Sequence, residues 1–299
     1  MQKVFNFLKC GNKVTVVSLC IIFSSFIYTF ICHGGYNWGI DFSSGVNVNF
    51  VIDKVGVKDY DVKKVLSPFY KTFDVNEIIS SDSFKSQFSI VVKSDITDYA
   101  FKKEIHNILV DRLSAEFGVN VEILDSYFID SNFSSILRTR SILLVCLTFA
   151  LILVYVALRF RLSYAVASIF ATMHDILFVI AFLGVFRIEI NSTIIVSILT
   201  IVGYSLNDTI IIFDRIRENS RNMTDVSFLN VLNVSISQTL SRTILTSVTT
   251  FVTVFSIYIF TEGAIKDFAL VFMVGVIVGT YSSIFIASPI LLSCYKKIR

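Results

Sequence analysis

Six long apolar runs decide what this sequence can fold into. A helix needs about 20 mostly apolar residues to cross a hydrocarbon layer of roughly 30 Å. The 299 residues are 54% hydrophobic and 16% charged, whereas about a quarter of a typical soluble domain is charged. The sequence therefore predicts a polytopic α-helical membrane protein with six transmembrane helices, at residues 14–32, 141–158, 162–186, 190–213, 240–260 and 268–292.

The first apolar run resembles a signal peptide because lysines precede it. Its apolar core is longer than that of a signal peptide, and no A-x-A cleavage site follows. We therefore interpret the run as an uncleaved membrane anchor.

The distribution of lysine and arginine predicts the orientation of the spans. With the N-terminus inside, the inner helix ends carry eleven basic residues and the outer ends four. Because positive residues favour the cytoplasmic side, we expect both termini inside and residues 34–135 outside. The inner set is Lys3, Lys9, Lys13, Arg159, Arg161, Arg215, Arg217, Arg221, Lys296, Lys297 and Arg299, and the outer set is Arg138, Arg140, Arg187 and Lys266.

Residues 34–135, between the first two spans, contain alternating strand and helix patterns. The sequence predicts strands at 46–50, 73–79, 87–93 and 119–129, helices at 57–68 and 98–117, and a turn at 80–83. The order β-α-β-β-α-β predicts a ferredoxin-like α+β external domain. The predicted division is then 1–33 for the N-terminus and first span, 34–135 for this domain, and 136–299 for spans two to six with an inner connector at 214–238.

Several classes of function are disfavoured by composition. A net charge of +3 without a basic stripe gives no reason to expect nucleic acid as a partner. The five cysteines are scattered without a CxxC or a nearby histidine, so no metal site is predicted. No GxxxxGK[ST] motif occurs, so we expect no nucleotide and no other cofactor, and any energy must come from an ion gradient or a partner.

Four ionisable residues lie inside the predicted spans, where charges are costly and usually mark a pathway. His174 and Asp175 lie in the third span, Asp208 in the fourth and Arg242 in the fifth. Asp208 and Arg242 both lie in the inner third of the membrane, Asp208 about 9 Å from the end of its span. This common depth predicts an ion pair between them.

Polar residues accompany these charges at helical spacing, so each set lies on one helix face. The fourth span carries Thr193, Ser197, Thr200, Tyr204, Asn207 and Asp208, and the fifth carries Arg242, Thr246, Thr249, Thr250, Thr253 and Ser256.

Structural interpretations of these residues stay open. Serine and threonine often join neighbouring helices, Arg242 could reach the inner headgroups, and His174 with Asp175 could be a structural pair. The small residues Gly275, Gly279, Ser282 and Ser283 predict close helix packing.

A family resemblance is carried by six parts of the chain, namely residues 39–42, the His174–Asp175 pair, runs 203–209 and 213–219, the 241–250 segment and residues 279–283. In these residues the chain resembles the SecF family, the accessory membrane subunit of the bacterial Sec export machinery. Ser44 departs from the family, which has glycine there, and this raises the question of how the turn is formed because serine tolerates positive φ poorly.

The resemblance implies a function. SecF-like chains form half of an assembly similar to the RND transporters and, with SecD, are thought to couple the proton-motive force to late steps of protein export. It implies an inner-membrane protein with residues 34–135 in the periplasm and no enzymatic activity. The implied partners are a SecD-like subunit, the SecYEG translocon with YajC as a further candidate, translocating preproteins and membrane lipid. The implied proton pathway contains Asp208, Arg242, Asn207, His174 and Asp175.

Two other functions compete with this hypothesis. An intramembrane aspartyl protease would need Asp175 and Asp208 to share one proton, but Asn207 replaces the glycine that such proteases have before the aspartate. Half of an RND-type exporter of small molecules or lipids is the other alternative, although a domain of about 100 residues is small for a drug-binding domain.

Overall fold

The structure, a computed structural model, describes residues 7–70, 73–78, 85–94, 99–160, 162–223 and 225–298. The chain divides into two compact units, one of Met1–Asn37 with Leu143–Arg299 and one of Trp38–Ile142. In chain order the elements are α1 (Leu8–His33), α2 (Ile40–Ser43), β1 (Gly45–Ile52), α3 (Asp59–Leu66), β2 (Phe73–Ile78), β3 (Ser86–Lys93), α4 (Tyr99–Phe117), β4 (Val121–Ile129), α5 (Ser131–Arg159), α6 (Leu162–Val185), α7 (Ser192–Asn222), α8 (Phe228–Phe260), α9 (Gly263–Ser282), a π-helical turn (Ser283–Ala287) and α10 (Ser288–Ile298).

Six segments of the described chain are long and apolar enough to cross a membrane, which confirms the predicted class of polytopic helical membrane protein. They are Lys13–His33, Ser131–Arg159, Leu162–Val185, Ser192–Asn222, Phe228–Phe260 and Gly263–Tyr295. The buried fraction of each segment separates central helices from peripheral ones. In the last segment 67% of the most apolar window is buried, but in α5 only 6% is. The helices α6, α7 and α9 therefore form the centre of the bundle, and α1, α5 and α8 lie around it.

The predicted inner connector at 214–238 is helical over most of its described residues. Helix α7 continues to Asn222 and α8 begins at Phe228, so only residues 223–227 lie between them. The 33 residues of α8 are about 50 Å long. Polar contacts stabilise the extension, with Arg215 Nη1 donating to Glu218 at 2.6 Å and Asn219 Nδ2 donating to Ser235 Oγ at 2.9 Å. Residues 228–238 of the predicted connector form the first part of α8.

A π-helical turn interrupts the last span. Just after it, Pro289 leaves one backbone carbonyl without its usual helical hydrogen-bond donor. Proline has no N–H, so the carbonyl of Phe285 loses its helical donor. Thr15 Oγ1 of α1 lies 3.0 Å from that carbonyl oxygen and can donate to it. A side chain at Gly11 would meet Pro289 Cγ at 2.7 Å, so glycine permits this close contact between α1 and α10.

The unit Trp38–Ile142 contains a four-stranded sheet in the order β2-β3-β1-β4, with every neighbouring pair antiparallel. Strand β3 lies between β1 and β2, and α3 connects those two, so the element order is the one that the sequence predicts for a split βαβ arrangement. Apolar side chains of one sheet face pack against Val62 and Leu66 of α3 and Ile105, Leu109 and Leu113 of α4. The predicted turn at 80–83 lies outside the described residues.

Ser44 adopts the backbone conformation that favours glycine, with φ of 60°. Its side chain is buried, and Oγ donates to the carbonyl oxygen of Ser94 at 3.0 Å. This hydrogen bond offsets part of the cost of a left-handed serine. The turn before β1 therefore keeps its conformation without the usual glycine.

Glycines let α9 approach α7 closely, as the small-residue pattern predicts. A Cβ atom on Gly279 would lie 2.9 Å from Ser205 Cβ and 3.2 Å from Ser205 Cα. The space beside Gly275 is filled by the buried side chain of Ile201. Gly203, by contrast, has no atom within 4 Å of an added Cβ among the described residues.

Gly279→Ala should therefore destabilise the bundle by about 1–3 kcal/mol, because the backbone of Ser205 cannot move aside locally. Gly203→Ala is the matched control on α7 and should leave stability unchanged or raise it by roughly 0.5–1 kcal/mol through helix propensity. The measurement is the unfolding midpoint in detergent, followed by circular dichroism. Equal midpoints for both variants would contradict the close packing of α7 and α9.

Candidate functional site: buried carboxylates between the helices

Asp175 on α6 lies at the meeting point of three central helices and is fully buried. Its Oδ1 lies 3.0 Å from Nδ1 of His174. Its Oδ2 accepts hydrogen bonds from Ser282 Oγ of α9 at 2.8 Å and from Ser205 Oγ of α7. Three donors from three helices therefore stabilise one buried carboxylate, as a charge in this environment requires.

The second ring nitrogen of His174 extends this network to α1. Nε2 lies 2.7 Å from Ser18 Oγ, and Ser18 Oγ lies 2.8 Å from the hydroxyl of Tyr281 on α9. A neutral imidazole that donates from Nδ1 to the carboxylate has Nε2 left as an acceptor for the serine hydroxyl. The contacts form a continuous chain from Tyr281 through Ser18 and His174 to Asp175.

Asp208 on α7 is also buried, with 1% of its surface exposed, but it is less well satisfied. Ser247 Oγ of α8 lies 3.4 Å from Asp208 Oδ2, a long hydrogen bond. Oδ1 has no hydrogen-bond partner among the described residues. Thr280 Oγ1 of α9 lies 2.7 Å from Ser247 Oγ.

The two carboxylates belong to one polar cluster, because α9 contributes side chains to the surroundings of both. Thr280 reaches the Asp208 side through Ser247, while Tyr281 and Ser282 reach the Asp175 side. No hydrogen bond joins the two carboxylates within the part of the chain that the structure describes, so they do not form the shared-proton pair that an aspartyl protease needs. We define the buried polar cluster as Ser18, His174, Asp175, Ser205, Asp208, Ser247, Thr280, Tyr281 and Ser282.

The structure does not bring Arg242 and Asn207 into this cluster. Arg242 is exposed and, together with Asp214, lines a cavity between α7 and α8. In the described residues it forms no ion pair with Asp208 within 4.0 Å, so the predicted ion pair is absent from this structure. Asn207 is exposed on α7, about 100° around the helix axis from Asp208. Of the five predicted pathway residues, three are buried and two lie on the surface.

Ser18 is the residue of the cluster that the sequence gives no reason to select, since it is one of three serines in a long apolar run. Ser282 was assigned to close packing, but it also donates to Asp175. No group of three or more His, Cys, Asp or Glu side chains able to hold a metal ion occurs in the described ranges.

The comparisons with known proteins identify the family. Residues 109–297 match the family model described as protein export membrane protein SecD/SecF, C-terminal. Over 299 residues the chain is 68% identical to protein translocase subunit SecF of Borreliella burgdorferi and covers all of that protein. The chain belongs to the SecF family. Family membership makes it an accessory, multi-pass membrane subunit of the Sec protein-export apparatus, as the resemblance implies.

More distant relatives include proteins in which a SecF-like part is joined to a second part. The chain is 32% identical to SecF of Petrotoga mobilis, over 94% of this chain and 93% of that one. It is 33% identical to SecDF of Brucella abortus, over 96% of this chain but 36% of that one. The crystal structure of SecDF from Thermus thermophilus, titled a translocon-associated membrane protein, matches with a TM-score of 0.83 and 29% identity, over 99% of this chain and 39% of that one. The chain thus spans about two-fifths of these SecDF proteins, and the fused relatives support a SecD-like partner for a SecF-family chain.

Replacing Asp175 tests whether its network holds the helices together. Asp175→Ala leaves the donors of His174, Ser205 and Ser282 without their acceptor and should cost about 2–5 kcal/mol of stability. Asp214→Ala is the control, because it breaks a half-exposed ion pair with Arg159, which is worth about 1 kcal/mol or less. The unfolding midpoints in detergent measure both effects. A loss for Asp175→Ala no larger than for the control would show that the network is not structural.

Proposed function

We propose that this SecF-family chain, with a SecD-like subunit, couples the proton-motive force to late steps of protein export. The observation that supports this proposal is the environment of Asp208. The carboxyl group is buried among apolar helices, and one oxygen lacks a partner among the described residues. Because an unpaired charge is costly in a water-free interior, the charge of such a group depends on whether a cation is near it.

Arg242 is the cation that we propose controls the charge of Asp208. It lies five residues before Ser247 on α8, about 7.5 Å along the helix axis, and Ser247 contacts Asp208. An inward movement of its side chain or of α8 would bring the guanidinium to the carboxylate and favour release of a proton. An outward movement of the guanidinium would favour rebinding of a proton to Asp208. Alternation of these two arrangements would couple proton transfer to a movement of α8 against α7.

His174 and Asp175 extend the proposed pathway on the α1 side of the bundle. Imidazole, hydroxyl and carboxyl groups can each exchange a proton with a hydrogen-bonded neighbour. The chain of contacts from Tyr281 to Asp175 supplies such neighbours at 2.7–3.0 Å. Asn207 contributes from the exposed side of α7, where we propose that it meets the partner subunit.

The proposed contact surface for the SecD-like subunit is the polar flank formed by α7 and α8. On α8 the exposed Thr249, Thr253 and Ser256 donate only to carbonyl groups of their own helix. On α7, Gly203 and Asn207 are also exposed. Small and hydroxyl residues on a spanning helix favour contact with another helix over contact with lipid.

The positive-inside pattern supports an inner-membrane location with both termini in the cytoplasm. In this orientation residues 34–135 lie in the periplasm. We propose that this domain contacts preproteins as they emerge, and that the membrane part contacts SecYEG, with YajC as a further candidate.

Asp208→Asn tests the proton coupling. The amide keeps the size of the side chain but cannot release a proton, so uncoupler-sensitive stimulation of export should be abolished while assembly stays normal. The measurement is translocation of a reporter preprotein into proteoliposomes with and without an uncoupler. Asp225→Asn, an exposed residue between α7 and α8, is the matched control and should keep full stimulation. Full uncoupler-sensitive stimulation by Asp208→Asn would refute the relay.

Bulky substitutions test the proposed contact surface. Thr249→Trp and Thr253→Trp should reduce co-purification of the SecD-like subunit about tenfold. The indole rings would fill space that a helix of the partner occupies in the proposed complex. Leu147→Trp on the exposed face of α5 should leave co-purification unchanged. The ratio of the two subunits after affinity purification in mild detergent measures this. A loss of the same size for Leu147→Trp, or none for the threonine variants, would place the contact elsewhere.

A further inference from the structure

Two adjoining cavities with shared arginines lie at the end of the bundle where α1 begins and α10 ends. One cavity, of about 850 Å³, lies between the ends of α5, α7 and α8. The other, of about 780 Å³, lies between the end of α5, the start of α6, α7 and Tyr295 of α10. Arg159, Arg217 and Arg221 line both cavities. These three side chains therefore form a basic wall between them.

The first cavity carries more positive charge than its own carboxylates neutralise. It is lined by five arginines but only two acidic residues. Asp214 pairs with Arg159 at 3.1 Å, and Glu218 pairs with Arg215 at 2.6 Å. The remaining arginines, Arg217, Arg221 and Arg242, have no carboxylate within 4.0 Å among the described residues. The wall can therefore accept an anion.

The second cavity supplies an apolar surface next to the same arginines. Its lining includes Leu158, Leu162 and the rings of Phe160, Tyr164 and Tyr295. Leu158 is 84% exposed and Leu162 is 72% exposed, although both lie at the ends of spanning helices. Leucines exposed there face the hydrocarbon of the membrane. A ligand at this wall thus meets a charged side and an apolar side.

We propose that Arg217 and Arg221 bind the phosphodiester group of an anionic phospholipid, whose acyl chains lie against Leu158 and Leu162. The guanidinium group matches two phosphate oxygens at once, which a lysine does not. Basic pockets between spanning helices at the cytoplasmic surface suit anionic headgroups. A free phosphate would use the arginines alone, whereas a lipid also covers the apolar side. This site uses neither Asp208 nor the proposed proton pathway.

The bound lipid would strengthen the attachment of α5, whose end contacts α7 through the Arg159–Asp214 ion pair and through a hydrogen bond from Arg217 to the Arg159 carbonyl oxygen. Helix α5 is the least buried of the six spans, and its last residue, Arg159, is part of the wall. A lipid held by Arg217 and Arg221 of α7 therefore connects the end of α5 with a central helix.

Native mass spectrometry of the full-length chain, co-expressed with its SecD-like subunit, tests the site. The probes are phosphatidylglycerol, phosphatidylcholine and inorganic phosphate. We expect phosphatidylglycerol to bind at least about fivefold more tightly than phosphatidylcholine, and excess inorganic phosphate not to displace it. Because each basic residue near an anionic surface changes affinity about fivefold, Arg217→Gln with Arg221→Gln should weaken phosphatidylglycerol binding by at least about tenfold.

Lys9→Gln is the matched control, an exposed charge near the same end that lines neither cavity. It should leave the affinity unchanged. Equal losses for the control and the arginine variant would show diffuse attraction and overturn the site. Equal binding of phosphatidylglycerol and phosphatidylcholine would overturn the assignment of an anionic lipid. Displacement of phosphatidylglycerol by inorganic phosphate would overturn the assignment of a lipid. These two measurements use the unaltered protein, so they decide the matter even if the double variant does not fold.

Discussion

The burial of Asp175 sets the geometry of the membrane part. A carboxylate without access to water needs hydrogen-bond donors from its neighbours, and here they come from α6, α7 and α9. Ser205 and Ser282 can both reach it only if α7 and α9 lie close together, and Gly279 makes this possible. His174 carries the network to Ser18, so α1 is attached to the same centre. The inner helices are thus held by directional polar contacts as well as by apolar packing.

Asp208 differs from Asp175 in a way that suits a changeable site. It has one long hydrogen bond to Ser247, on a helix with a largely exposed surface. Asp175 has donors on both oxygens from the central helices. A movement of α8 would alter the surroundings of Asp208 and leave those of Asp175 intact. This contrast supports assigning the changing charge to Asp208, while Asp175 keeps fixed hydrogen bonds within the proposed pathway.

Much of the fold follows from the sequence because the bilayer permits few solutions. Apolar runs of span length require helices, and the period of the pattern between the first two spans identifies the elements of the α+β unit. The ends of α7 and α8 could not be predicted from hydropathy. A helix continues into water when polar pairs such as Arg215 and Glu218 stabilise it, whereas an apolar window ends at the membrane surface.

The site was harder to predict than the fold. The sequence predicts a similar membrane depth for Asp208 and Arg242. Depth does not determine the direction in which a side chain points around its helix axis. Arg242 points to a cavity and Asp208 to the interior, so the expected ion pair is absent. The buried residues Asp175 and His174 could be selected because charge in an apolar run is rare. Ser18 could not, since the first span contains three serines and the sequence does not show which of them meets His174.

The central claim is that Asp208 gains and loses a proton while the assembled subunits work. Infrared difference spectroscopy of the chain reconstituted with its SecD-like subunit reports on this directly, because a protonated carboxyl group and a carboxylate absorb at different frequencies. Imposing a proton gradient across the vesicles should produce a carboxyl difference band that is absent from Asp208→Asn and present in Asp225→Asn. A band that persists unchanged in Asp208→Asn would contradict the account, since another group would then carry the proton.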